Sequence, residues 1–389
     1  MSTIRRFGRC FAMKAKLLKF NIKKLLLKYC KLFLKMNIET KLHILKADYG
    51  DAFILSVTDG SRTTNIVIDS GPAIQSYRTV TEEWEKLDKI DLLIITHYDY
   101  DHSGSFAIHV SRNEDFVSKV KKFWLNCPGV VKCDSSNTVS GIDDCKTIKD
   151  KFVELEKKYP KLDWRDDVTT GMTYVDDNCF LKIEVLAPNE VAKKEFVEVY
   201  ESKYENTIVS DSTIDDDYDK TLEELSKVPY DSKAQKVNNS SISFLLTTVD
   251  GKKFLFLGDV KEEQIIETLK SKGISEANKL EVDCMKVPHH GSKYNLSEGL
   301  LNLISCEHFI ISTIGGHLRF RHPDRQTLAK IIFYPKPKDR DRITIHLNYD
   351  RVEMKKHKSK FLHDEEIEDK ERYNFDLDEN WRVRGQVLK

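Results

Sequence analysis

The stretch Thr96-His97-Tyr98-Asp99-Tyr100-Asp101-His102 sets two imidazoles and two carboxylates within seven residues, directly after the run Asp91-Leu92-Leu93-Ile94-Ile95. A short apolar run bounded by polar residues reads as a buried strand. The chain therefore places four metal-capable side chains where a strand leaves the core. Three other segments repeat the arrangement: NIVIDSGP (65–72, with Asp69), FLFLGDV (254–260, with Asp259) and MKVPHHGS (285–292, with His289 and His290). A fifth, FIISTIGGHLRFRHPD (309–324), adds His317 and His322 after a strand. Ends of neighbouring strands meet at one edge of a sheet, so ligands distant in sequence converge there.

Imidazole and carboxylate together suit Zn²⁺, Mn²⁺ or Fe. A carboxylate such as Asp259 can bridge two ions, and two ions roughly 3.5–4 Å apart can clamp the attacking and leaving oxygens of a displacement. Their charge lowers the pKa of a shared water. On this reading the loop after Ile95 serves two ions, with His97 and Asp99 on one and Asp101 and His102 on the other.

Outward from these motifs the pattern is strand-rich from residue 40. KLHILKA, AFILSVT and TNIVIDS open the domain, and SISFLLTTVDGKKFLFLGDV makes a hairpin about Asp250-Gly251. Helical stretches VTEEWEKLDKI and KEEQIIETLKSK lie between the strands. Two groups of strands with intervening helices predict an α/β fold, two mixed sheets face to face with helices outside. The Gly-rich turn of a doubly wound nucleotide-binding sheet is missing. We expect a basic amphipathic extension at 1–36, a main folded domain at 37–350 with a charged insertion at 190–236, and a charged tail at 351–389.

The charge balance, 63 basic against 63 acidic residues, hides an asymmetry. Residues 1–36 carry eleven Lys/Arg and no acid, which leaves the rest of the chain a surplus of eleven acidic residues. The main body is thus no general polyanion clamp, and nucleic-acid binding would need a local patch. The basic segment has the pattern of a helix that touches an anionic membrane or nucleic acid, without an apolar run long enough to span a bilayer. A dispensable extension is the plainer reading, with Met36 a natural domain start. Eight scattered Cys without CxxC pairs suggest thiols in a reducing, cytoplasmic setting. His43, His109, His308 and His346 have no clustered partner in the sequence and read as packed or surface residues.

Taken in order, VIDSGP, THYDYDHSG, NNSSISFLL, FLFLGDV, KVPHHGS and GGHLRFRHPDRQTL resemble the metallo-β-lactamase fold, a four-layer αββα sandwich. With Asp99 at the second His position of the usual His-x-His-x-Asp-His, they are similar to its ComEC-like branch, named for the hydrolase part of bacterial DNA-uptake channels. The resemblance covers about residues 38–335. It implies a metal-dependent hydrolase, foremost a phosphodiesterase or nuclease on DNA or RNA. It also implies two divalent ions (Zn or Mn), bound by His97, Asp99, Asp101, His102, Asp259 and His289. Asp101, Asp259 and His322 are the catalytic candidates, with Asp259 between the ions and His322 assisting the leaving oxygen. Asp69 would orient a ligand histidine; His290, Ser292, Lys293 and His317 would line the site, with His289 and His290 alternatives as the ligand. The place of a further ligand His in many members reads VLAPNE here, so the first ion would bind weakly or be absent. Stand-alone ComEC-like hydrolases also resemble effectors of bacterial defence modules, which implies an activating protein partner. Hydrolysis of a small phosphoester, lactone or thioester, and a non-catalytic metal-stabilised subunit, are the competing readings.

Overall fold

The computed structural model describes residues 37–127, 148, 150, 151, 154, 157–159, 162–201, 217–232, 237–315, 321–334, 342–356 and 361–379. The basic segment 1–36 and His317 lie outside them.

Among the described residues, fourteen strands form two sheets. The first holds β1 (Glu39–Ile44), β2 (Phe53–Thr58), β3 (Thr63–Ile68), β4 (Leu92–Ile94), β5 (Lys122–Trp124) and β6 (Asp163–Arg165), adjacent in that order. The second holds β7 (Thr173–Val175), β8 (Leu181–Ala187), β9 (Ser243–Thr248), β10 (Lys253–Phe256), β11 (Leu280–Lys286), β12 (Ile304–Ile311), β13 (Ile343–Leu347) and β14 (Phe375–Asp378), again in sequence order. Each sheet starts antiparallel, β1–β2–β3 and β7–β8–β9–β10, and continues parallel. Parallel neighbours need crossovers. Helices supply several: α1 (Ala73–Glu85) between β3 and β4, α2 (Tyr100–Arg112) between β4 and β5. In the second half α3 (Glu190–Glu201) and α4 (Leu222–Ser226) follow β8. Then α5 (Glu262–Ser271), α6 (Glu298–Leu301) and α7 (Arg325–Phe333) come between β10 and β13.

Side-chain alternation explains the layering. Along β3, Ile66 and Ile68 face the second sheet, while Val67 joins Trp84 and Phe106 under α1 and α2. Along β10, Phe254 and Phe256 face the first sheet, while Leu255 packs with Ile265 and Leu328 under α5 and α7. A strand buried on both faces must be apolar at every position, which is why these segments read as runs rather than alternations. The result is the two-sheet α/β sandwich expected.

Two expectations differ. The segment 190–236, expected to be a charged insertion, contributes buried Ala192, Phe196, Leu222 and Leu225. The expected tail contributes to the fold: Met354, Phe361, Leu362 and Phe375 are buried, and β14 adds to the sheet beside β13. These apolar residues are spaced widely among charges, so composition masks them. Among the described residues no helix is long and apolar enough to cross a membrane.

Candidate metal centre

The parallel strands end on one edge, and there the sequence turns sharply. Asp69 follows β3 in the left-handed region (φ 56°), which Asp and Asn tolerate better than most residues. The turn carries its carboxylate across the strand end. Oδ1 accepts from the Thr96 amide (2.7 Å), and Oδ2 lies 2.9 Å from His102 Nδ1. A carboxylate only accepts, so His102 donates through Nδ1–H and presents a bare Nε2 on its other side. His290 is fixed the same way, its Nδ1 2.9 Å from the Ser312 carbonyl. His289 Nδ1 lies 2.9 Å from Asn295 Oδ1. The Asn295 amide nitrogen donates to the Asp259 and Val260 carbonyls (3.0 and 3.2 Å), so its oxygen must accept. His97 Nδ1 contacts the hydroxyls of Thr96 and Ser241, each at 3.2 Å.

All four imidazoles turn Nε2 toward one atom, Asp259 Oδ2: His102 at 3.4 Å, His289 at 3.6 Å, His97 and His290 at 3.9 Å. His289 and His290 do so from backbone with φ of 48° and 53°, followed by Gly291 at 91°. Two successive non-glycine residues there cost about 1–3 kcal/mol each and persist only where the surroundings fix them. Here the His289 amide bonds the Gly258 carbonyl (3.0 Å), and the Gly291 carbonyl bonds the Asp324 amide (2.9 Å).

The remaining carboxylates fall on two sides. Asp99 Oδ2 is 3.6 Å from His97 Nε2. Asp101 lies by the other pair, Oδ2 3.2 Å from His290 Nε2 and Oδ1 4.0 Å from His102 Nε2. Behind them is Asp51, absent from the sequence-based set. Asp51, His102, Asp259 and His290 each offer an atom within 4.8 Å of one another, and all are buried. Lys286, also not anticipated, is buried beside them and ion-paired with Asp51. Nε2 of His97 and His102 are buried without a hydrogen-bond partner. Orphaned donor atoms of this kind are costly, and a divalent cation is the group that imidazole and carboxylate would jointly satisfy. The residues fit a metal centre.

Charge coupling runs through the cluster. Burial opposes ionisation of Asp51, but the Lys286 ammonium and His290 more than offset it and lower the carboxyl to about 2. Burial is likewise outweighed at His290, where Asp51 and Asp101 lift the imidazole to about 9. At His289 burial prevails over the Asp259 charge and lowers the imidazole to about 4. Asp259 stays well below the usual carboxylate range, against its own burial, because His289 and His102 face it.

His322 lies at the rim, its ring 5.4 Å from that of His289 and its Nδ1 3.4 Å from Asp324 Oδ2. The Ser292 hydroxyl accepts from the Tyr294 amide (3.3 Å), and the Lys293 ammonium lies over the Tyr294 ring. These two are not drawn onto the central carboxylate by any contact among the described residues. His308 and His346, expected to be solitary, meet each other on β12 and β13 (3.1 Å), with Asp378 of β14 2.9 Å from His346 Nδ1. Strand pairing, invisible in one sequence, brings them together.

The molecule is thus an α/β sandwich with a buried Asp/His cluster at its strand ends, the class of protein that fold and site define. No protein-family profile matches the chain. No curated protein matches it either. Solved structures do. The metallo-beta-lactamase fold protein YhfI from Bacillus subtilis is 8% identical, covering 79% of this chain and 96% of that one, with a TM-score of 0.39. Igni18, a metallo hydrolase from the archaeon Ignicoccus hospitalis, is 15% identical over 70% of this chain and 81% of its own, with a TM-score of 0.33. A long-form RNase Z from yeast is 10% identical over 64% of this chain, which spans only 32% of that enzyme, with a TM-score of 0.31.

Proposed function

We propose that this protein is a metal-dependent hydrolase of the metallo-β-lactamase type, and that its substrate is a phosphodiester of DNA or RNA. The observation that carries the reading is the convergence of four imidazole Nε2 atoms on one carboxylate oxygen, Asp259 Oδ2. His97, Asp99 and His289 would hold one divalent ion, and Asp101, His102 and His290 a second, with Asp259 shared. Bound there, such ions would acidify a water and stabilise negative charge on the substrate's oxygens. The chain's own residues do the rest. Asp69 and the Ser312 carbonyl hold His102 and His290 in the tautomer that presents Nε2 inward. Asp324 beside His322 Nδ1 leaves its other nitrogen to carry a proton toward a leaving oxygen.

The acidic surplus beyond residue 36 supports a second reading, a small phosphoester in place of a polyanion. Both are tested by assaying the protein reloaded with Mn²⁺ or Zn²⁺ on a small phosphodiester, single-stranded DNA, RNA and duplex DNA. Asp259→Asn and Asp101→Ala run beside it. The expected outcome is cleavage of nucleic acid that falls at least about a hundredfold in either variant, with circular dichroism unchanged. Cleavage of the small ester alone selects the second reading. Wild-type activity in both variants overturns the site assignment, and silence on all substrates with metal bound points to a missing partner or another substrate class.

A further inference from the structure

We propose that Lys286 is a resident cation of the metal centre: it holds Asp51 and one oxygen of Asp259 in place and weakens the centre's affinity for divalent ions. The inference rests on reading the cluster as a metal centre and adds a residue that reading does not contain.

Lys286 is the last residue of β11 and is 1% exposed. A lysine is almost never buried this fully without a partner. Its ammonium is ion-paired with Asp51 Oδ2 and lies 3.8 Å from Asp259 Oδ1. Asp51 in turn lies behind two of the imidazoles, 3.4 Å from His290 Nδ1 and 3.9 Å from His102 Nδ1. The lysine therefore acts on the imidazoles through a carboxylate and on the shared carboxylate directly.

The two oxygens of Asp259 are sorted. Every imidazole contact falls on Oδ2, and the ammonium faces Oδ1. A carboxylate free to rotate could chelate one ion through both oxygens. With Oδ1 held toward Lys286, Asp259 presents a single oxygen to the space between the imidazoles, which is the arrangement that shares it between two ions.

Charge gives the second consequence. Asp51, Asp69, Asp99, Asp101 and Asp259 surround this space. Among the described residues, Lys286 is the only Lys or Arg ion-paired with any of them. Buried carboxylates without a cation repel one another. The lysine holds them together before metal arrives, and the same positive charge opposes an incoming divalent ion. It is a positioning residue, since it reaches substrate and water only through Asp51 and Asp259.

The test compares wild type with Lys286→Met, which keeps an unbranched apolar side chain one atom shorter and removes the charge. Each is titrated with Mn²⁺ and Zn²⁺ by calorimetry and melted with and without metal. The expected result is a Kd lower by about tenfold or more in the variant. Its melting temperature should fall without metal and recover most of the loss when metal saturates. A variant that folds only with Mn²⁺ present supports the proposal equally. Unchanged or weaker metal binding, with the same loss of melting temperature in both states, makes the lysine merely structural and overturns the proposal. If Lys286→Met folds under neither condition, Lys286→Gln, which retains a donor for Asp51, is judged by the same comparison. A wild type that binds no divalent ion overturns the metal centre itself, an outcome distinct from failure of the lysine's role alone.

Discussion

Asp69→Asn isolates the tautomer control of the site. Asn tolerates the left-handed backbone at φ 56° and can still accept from the Thr96 amide. If its amide nitrogen replaces Oδ2, two donors face each other at His102 Nδ1, so His102 must move its proton to Nε2. That removes the lone pair aimed at the centre. Metal affinity is expected to fall about 10–100-fold, the usual loss for such an orienting carboxylate. The far-ultraviolet spectrum should not change. Unaltered affinity in a calorimetric titration would refute the argument. Asp69 could be found from sequence because it shares the strand-end pattern with His97, Asp101 and Asp259. Asp51 and Lys286 do not. In Ala47-Asp48-Tyr49-Gly50-Asp51 the acid reads as part of a turn, and only folding shows that its amide bonds the Asp101 carbonyl (3.1 Å). Lys286 follows Cys284 and Met285 on a strand, where a lone lysine reads as a surface position. Its burial depends on a carboxylate from the far side of the sequence.

The elements were legible to the extent that they are apolar. Ile66–Ile68 of β3, Phe254–Phe256 of β10 and Phe309–Ile311 of β12 are continuous apolar runs because both faces are covered there. β6 and β7 are three residues long with both end residues exposed, and no pattern of that length rises above the background. Strand order depends on crossovers and could not be read from the local signal. α5 offers a test at this scale. Its first residue, Glu262, is 3% exposed and accepts from the Ser297 amide at the start of α6. Burial raises its carboxyl to about 7, while the Ser297 bonds pull the other way. The folded state thus holds this proton more tightly than the unfolded chain, whose pKa is near the ordinary 4.5. Its contribution to stability is present in full below pH 4.5 and is lost as pH rises to about 7, then stays level. At about 1.4 kcal/mol per unit the loss is about 3 kcal/mol. Glu262→Gln retains an acceptor for Ser297 and does not titrate. Urea unfolding should therefore show the variant gaining on wild type between pH 5 and pH 8, and a difference that is the same at both pH values would contradict this.

At the scale of the whole molecule, one guanidinium ties together three parts of the chain that the sequence kept apart. Arg325, at the start of α7, is 1% exposed. It makes two 2.8 Å bonds to the carboxylate of Glu366, donates to the Phe361 carbonyl (3.2 Å) and the Lys220 carbonyl (2.9 Å), and lies over the Tyr218 ring. The end of the charged insertion and the C-terminal segment thus meet at the helix that follows His322. The C-terminal segment is part of the fold, although its charge made it look like a solvated tail: a cation and an anion distant in sequence cancel only once the chain has folded. Removing one partner of a buried, bidentate pair leaves the other charge unpaired, so Glu366→Ala should cost about 3–5 kcal/mol in urea or thermal unfolding. Replacing both charges with apolar groups, Arg325→Met with Glu366→Leu, leaves no buried charge and should cost much less than the single change. If Glu366→Ala unfolds like wild type, the C-terminal segment contributes nothing through this contact. If the double variant is as unstable as the single one, the hydrogen bonds to Phe361 and Lys220 matter more than the ion pair. The expected order, wild type close to the double variant and both well above Glu366→Ala, would place the C-terminal segment inside the cooperative unit that carries the metal centre.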